Sequence, residues 1–282
     1  KDEINDTKVY FRDISNKSAI FKTQSEFSFL MKSLQSINND KPILPIIEKK
    51  INVSKFNDQN EKWFETSADY IYDWLRYTFF QNQAREDIES YDFNPLWMIL
   101  LKILETSHFL KASKTAASSL VLLIKIDIDS FMNNQYYSAI VEEFPNNCHA
   151  IKKDLLAVIA IAFYRATNEQ MNQLLDQSNI FDLIFETLGS IEFDNNDHLS
   201  DIILGLHRFI DFCGYSQEGM VAFNDLVITN EDFENWVEQL IGYTNELNED
   251  ENQDQNLIKK AQDLNNIIHQ RIKEYEISMN KM

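Results

Sequence analysis

The chain has 282 residues, 44 % of them hydrophobic, which is enough to bury a core and excludes disorder for most of its length. Five glycines and four prolines cannot supply turns roughly every 8–12 residues, so a β-sandwich or barrel is excluded. All five glycines lie beyond position 188, so the first two thirds hold no glycine-rich phosphate loop. A formal net charge of −19 repels phosphate backbones, so direct nucleic-acid binding is not expected. The composition predicts an all-α protein.

The charge is uneven. Residues 1–50 hold 9 Lys and Arg against 7 Asp and Glu, whereas residues 51–282 hold 17 against 38. A basic partner would be steered to the body, although the same acidity also serves solubility. Cys148 and Cys213 encode no disulfide framework, and the expected setting is intracellular, in cytoplasm or nucleus. The longest apolar run, Leu155 to Tyr164, falls short of the roughly 20 residues that cross a bilayer, so no transmembrane segment is expected. The opening KDEINDTKVYF lacks the apolar core of a signal peptide.

In chain order, residues 1–57 read as an arm and first helices, with Phe27, Leu30, Met31 and Leu34 on one face before Pro42 and Pro45. A repeat body is expected over 58–243. Asp58 and Glu61 make a capping box for a helix near 59–82, in which Trp63, Phe64, Ala68, Ile71, Trp74, Leu75 and Phe79 trace an apolar stripe. Asn94-Pro95 opens the next as cap and first-turn proline. Ser113 starts another. Short helices cover 134–144 and 167–176, the second opened by a box of Thr167 and Gln170. Leu155–Tyr164 is apolar all round and predicts a central core helix. Helices over 179–188 and 198–213 end at Gly189 and Gly214, and another spans 230–242. The run TNELNEDENQDQ at 244–256 reads as an acidic linker loop. Residues 257–282 read as a capping helix, with Leu257, Ala261, Leu264, Ile268 and Tyr275 at near-heptad spacing.

Asparagine followed by an apolar helix recurs at Asn94, Asn134, Asn179 and Asn230, in steps of 40, 45 and 51 residues, near the period of about 40–47 of armadillo and HEAT units. With longer helices between these starts, the order resembles armadillo/HEAT-like helical repeats over about 59–280. The resemblance implies an irregular α-solenoid whose concave surface binds proteins. The Trp and Asn ladder of peptide-binding armadillo proteins is not reproduced: Asn235 and Trp236 are adjacent, Trp97 follows Asn94 by three, and neither Asn134 nor Asn179 has a matching Trp.

Catalytic patterns are incomplete. Glu105 and His108 form one E-x-x-H where a di-iron bundle needs two. The run Asn196-Asp197-His198-Leu199-Ser200 resembles a terpene-synthase magnesium motif but ends on Leu204 instead of Glu, and Asp197 reads better as a helix cap. No H-E-x-x-H, C-x-x-C, G-x-S-x-G or P-loop occurs, and no cofactor or metal is expected. The candidate binding residues are Trp97, Tyr136, Tyr137, Asn179, Asn235 and Trp236 near the repeat starts, with Glu192, Asp194 and Asp197 as an acidic cluster. The expected function is a non-catalytic scaffold or adaptor for a protein partner, one with a basic segment. A regulatory subunit or co-chaperone is the alternative, and an all-helical enzyme the third.

Overall fold

Backbones with few turn residues and dense 3.6-residue periodicity form helices. In the computed structural model 85 % of the described residues are helical and none of them is in a strand. The structure describes residues 64–65, 68–69, 71–73, 75–76, 93–105, 109–175, 184–185, 187–193, 197–215, 219–220, 223–248 and 255–279. The arm and first helices expected over 1–57 lie outside these residues, as do His108, Asn179, Asp194 and Asn196. The chain divides into two compact units, residues 1–130 and 131–282.

In the first unit, α1 (Asn94–Glu105) and α2 (Leu110–Ile124) pack on each other. Asn94 is the first helical residue; the carbonyl of Phe93 before it accepts from the amides of Leu96 and Trp97, at 2.9 and 3.2 Å. Ser113, expected as a helix start, instead lies buried within α2, where its hydroxyl donates to the Ile103 carbonyl of α1 at 3.3 Å. A buried hydroxyl needs such a partner. Helical residues between 64 and 76 flank α2: Phe64 stacks on Phe109 with ring centroids 5.4 Å apart, Lys111 reaches Glu65 at 3.3 Å, and Thr115 reaches Asp69 at 3.2 Å. The partner numbers climb together with an offset of 45 or 46, so the two helical stretches run parallel. Ala68, Ile71, Leu75, Ala112 and Ala116 are buried in this unit.

The short helix α3 (Ile128–Asn133) spans the division between the units. The second unit continues with α4 (Tyr136–Glu143), α5 (His149–Arg165), α6 (Asn168–Leu175), α7 (Leu199–Cys213), a π-turn over Asn224–Ile228, α8 (Glu231–Asn248) and α9 (Gln255–Met279). The predicted core helix is α5, buried from Asp154 to Phe163. The Thr167 box forms: Gln170 Oε1 accepts from the Thr167 amide at 3.0 Å, and Thr167 Oγ1 from the Gln170 amide at 3.2 Å. α7 packs against both α5 and α9, and α9 also packs on α8. Asp154 faces His198 at 3.6 Å, Ala160 meets Gly205, and Phe163 stacks on Phe209 at 5.6 Å. These offsets of 44–46 make α5 and α7 parallel. Lys260 bonds Ser200, and Arg271 bonds Ile210 and Asp211, so α9 runs parallel to α7 as well, at an offset of 60–61. At the crossing of α5 and α7 a Cβ on Gly205 would sit closer to the Ala160 backbone than the 3.0 Å that real Cβ atoms keep; only glycine allows this approach.

Two further expectations change. α8 continues to Asn248 and α9 starts at Gln255, so both ends of the acidic run 244–256 are helical. Thr244 is buried there, and its hydroxyl donates to the Ile241 carbonyl at 3.1 Å. α7 ends at Cys213 with Gly214 as its cap, as expected, and Gly214 has right-handed angles, φ −74° and ψ −8°. Its missing side chain leaves the space that the Arg271 guanidinium fills. Asp197 does not cap α7: the cap residue is His198, which makes no side-chain capping bond, and Asp197 is exposed.

Candidate functional site

The two units differ in charge. Residues 1–130 carry 19 acidic and 17 basic side chains, whereas residues 131–282 carry 26 and 9. No Lys or Arg occurs between Arg208 and Lys259, a stretch that includes all of α8. Asn230 caps α8 by accepting from the Phe233 amide at 2.9 Å. The helix then sorts its residues by period: Phe233, Trp236, Val237 and Leu240 are buried, while Glu231, Asp232, Glu234, Asn235, Glu238 and Glu246 are exposed. Among the described residues none of these carboxylates has an ion-pair partner.

Beneath that face lies an aromatic cluster. Phe185 packs on Phe233 at 5.2 Å, Phe233 on Trp236 at 6.3 Å, Phe193 on Trp236 at 6.1 Å, and Phe193 stacks on Tyr243 at 5.4 Å with an interplanar angle of 20°. The contacts lay the segment of Glu192 and Phe193 against α8. Glu192 is exposed, while Phe193 and Tyr243 are half-buried. Trp236 is 1 % exposed and its Nε1–H has no hydrogen-bond partner, an arrangement that costs about 1–3 kcal/mol of desolvation. The other described tryptophan, Trp97, also buried, donates Nε1–H to Asp127 at 3.2 Å.

Of the residues singled out by sequence, Asn235 and Trp236 are neighbours on α8, and Glu192 precedes Phe193, whose ring packs on Trp236. Asp197 is exposed at the entry to α7. Trp97 lies in the core of the first unit. On α4, Tyr136 is half-buried and Tyr137 is buried with its edge against Phe131 at 6.2 Å. Sequence reading missed Phe193 and Tyr243, single aromatics flanked by polar residues that give no periodic signal.

It also missed Arg271. This side chain is 8 % exposed, donating from Nε to the Ile210 carbonyl at 3.3 Å and from Nη2 to the carbonyl and carboxylate of Asp211 at 3.0 and 2.8 Å. Its other nitrogen meets Glu274. The Glu274 carboxyl is held below its ordinary range by bonds from Gln270 and then Arg271. Arg271 thus satisfies the last carbonyls of α7, as a planar five-donor fork is suited to do. Burial pushes the neighbouring Cys213 thiol up to about 12, despite the opposing pull of Arg271, so it stays a protonated core group.

Catalytic geometry does not assemble among the described residues. Glu105 pairs with Lys102 on the surface, and Ser200 accepts from Lys260. Ser190 Oγ lies 3.2 Å from His149 Nδ1, but both residues are exposed and no described carboxylate pairs with His149, so the third member of a nucleophilic triad is missing. No group of three His, Cys, Asp or Glu side chains among the described residues could hold a metal ion, and no described helix is long and apolar enough to cross a membrane. Comparison of the chain with protein-family models, curated proteins and solved structures finds no match.

Proposed function

We propose that the chain is a non-catalytic scaffold or adaptor, an irregular armadillo/HEAT-like α-solenoid that presents the acidic face of α8 and Glu192 to a protein partner with a basic segment. The parallel pairs support the solenoid part of this reading. Offsets of 45–46 in the first unit and 44–46 between α5 and α7 fall within the period of about 40–47 of such repeats, in which equivalent helices stack side by side. The solvent side of α9, with Lys259, Gln262, Asn266, Gln270 and Lys273 exposed, suits a terminal helix that ends a stack. Two free cysteines fit a reducing intracellular compartment.

The observation that carries the functional reading is the uncompensated charge of α8. Its first-turn acids, Glu231, Asp232 and Glu234, stand where a helix start favours carboxylates. Glu238 and Glu246 have no such support, and Glu234 and Glu238 repel each other one turn apart. A basic partner relieves that repulsion. The test is affinity capture with the full chain and with a Glu192→Gln, Glu238→Gln, Glu246→Gln variant, read by mass spectrometry and followed by association kinetics at rising salt. A partner that the variant loses, and whose association slows with salt while dissociation does not, is the expected result. Captured proteins indifferent to both the substitutions and salt overturn the reading.

A further inference from the structure

A helix start favours carboxylates, because its free amides carry positive charge, and α8 follows this rule with Glu231, Asp232 and Glu234 in its first turn. α5 does the reverse. It has no acid in its first turn and no side-chain cap, and it places His149, Lys152 and Lys153 within its first five residues. Ser190 is brought to this start from 41 residues away in the chain. Its hydroxyl donates to the Thr187 carbonyl at 2.7 Å and lies 3.2 Å from His149 Nδ1, so it meets the ring as an acceptor and Nδ1 carries the proton. Lys153 follows His149 by four residues on the same face of α5, and its side chain leans back toward the start of the helix. Among the described residues Lys153 has no ion-pair partner.

Ser190 is exposed and stands in a turn between helical Thr187 and Leu188 and non-helical Ile191 and Glu192, a setting from which a hydroxyl enters another enzyme's cleft. Its segment is held on α8 from both sides, by Phe185 on Phe233 and Phe193 on Trp236. The contact of Ser190 with His149 therefore ties α5 to the segment packed on α8. A phosphoryl group on that oxygen adds nearly two negative charges and three strong acceptors where an imidazole, an ammonium and a helix start already face it. Glu192 and Asp194 follow Ser190 in sequence and oppose that charge, so the cations of α5 must outweigh them. We propose that Ser190 is a phosphorylation site whose phosphate is received by His149 and Lys153, which tightens the tie between α5 and the segment on α8. In the transfer the Ser190 oxygen bonds the terminal phosphorus of a nucleoside triphosphate held by a protein kinase. The bond from that phosphorus to the bridging oxygen breaks, the nucleoside diphosphate leaves, and the hydroxyl proton passes to the kinase's carboxylate base. The site does not depend on α8 binding a partner.

The test uses the full chain made with phosphoserine encoded in place of Ser190. Its melting midpoint should lie about 2–4 °C above that of the unmodified chain, and in phosphorus NMR the phosphate should titrate below its ordinary value of about 6, because the cations hold the dianion. His149→Gln and Lys153→Gln should each reduce the rise in melting midpoint. Together they should erase it and return the titration to its ordinary value, while changing the unmodified chain little. Circular dichroism checks that each chain remains helical, and if the double variant unfolds, the single variants decide. In the chain isolated from its own cells with phosphatases inhibited, peptide mapping should find phosphate on Ser190. A phosphorylated chain that melts at or below the unmodified midpoint, a rise that survives both glutamine substitutions, or absence of the phosphate from the cellular chain overturns the proposal.

Discussion

Both units lay a parallel pair of helical stretches side by side at almost the same sequence offset, yet they hold the pair by different means. In the first unit the contact is a ring stack of Phe64 and Phe109 edged by surface partners, Lys111 with Glu65 and Thr115 with Asp69. In the second, α5 and α7 meet backbone to backbone at Ala160 and Gly205, and α9 is fastened to α7 by a buried guanidinium. The same sequence spacing therefore carries two kinds of interface, one tolerant at its edge and one with no spare volume. The acidic face belongs to the same unit but to a different layer, α8, over its own aromatic cluster.

The sharpest way to break that contrast is Gly205→Ala. The added Cβ has only Ala160 backbone to meet, so the helices must separate, and a loss of about 3 kcal/mol or more is expected in urea unfolding. Hydrogen exchange should show α5 and α7 losing protection while α1 and α2 keep theirs. Equal loss in both units would show that they unfold as one.

The two buried tryptophans among the described residues provide a second comparison, of about 2 kcal/mol. Trp97→Phe removes a hydrogen bond to a carboxylate and leaves Asp127 without it, whereas Trp236→Phe removes a donor that already has no partner. Trp97→Phe should therefore be the more destabilising, measured by thermal melting. A reversed order would mean that water satisfies the Trp236 indole.

Much of this fold is legible in local chemistry. The Thr167 and Gln170 box, the Asn230 cap and the all-round apolar run of α5 are signals carried within a few residues, and each forms its expected element. Ser113 and Arg271 are misread because their partners lie on other helices. Ser113 resembles a cap until Ile103 is placed beside it. Gly214 reads as a helix end, which it is, but its smallness is also needed by Arg271, 57 residues later. Arg271 itself looks like a solvated residue on a polar helix until the carbonyls of α7 are brought to it. Of the candidate site, the acidity and Trp236 are readable, but the pairing of Phe193 with Tyr243 depends on the docking of a segment that has no periodicity of its own.

A third test uses alkali. Cys213 is raised from its ordinary 9.0 to about 12 in the folded chain. The unfolded thiol then ionises first, so the contribution is complete below about pH 9 and is lost as pH rises toward 12. Stability of the second unit should fall by up to about 1.4 kcal/mol per pH unit in that window, and Cys213→Ala should flatten the slope whatever it does at neutral pH. Smaller still is Gly242→Ala, on the solvent side of α8 with no atom within 4 Å of the new Cβ. It should stabilise by about 0.5–1 kcal/mol through helix propensity. Lys111→Met in the first unit should move the melting midpoint least of all, since surface pairs contribute little. A large shift there would mean that the first unit depends on its polar edge.

The parallel order of α5, α7 and α9 has an electrical consequence as well. Antiparallel neighbours cancel their peptide dipoles, but these three add, each contributing roughly half an elementary charge of opposite sign at its two ends. All three arginines of the second unit gather at the carbonyl end: Arg165 in the last turn of α5, Arg208 near the end of α7, and Arg271 reaching across from α9 to the final carbonyls of α7. Lys152 and Lys153, by contrast, stand in the opening turns of α5, and Lys259 and Lys260 in those of α9. Forked guanidinium groups thus neutralise the negative pole, while single ammonium charges mark the positive one. The stack has a direction as well as a net charge, and its two ends are met by different kinds of cation.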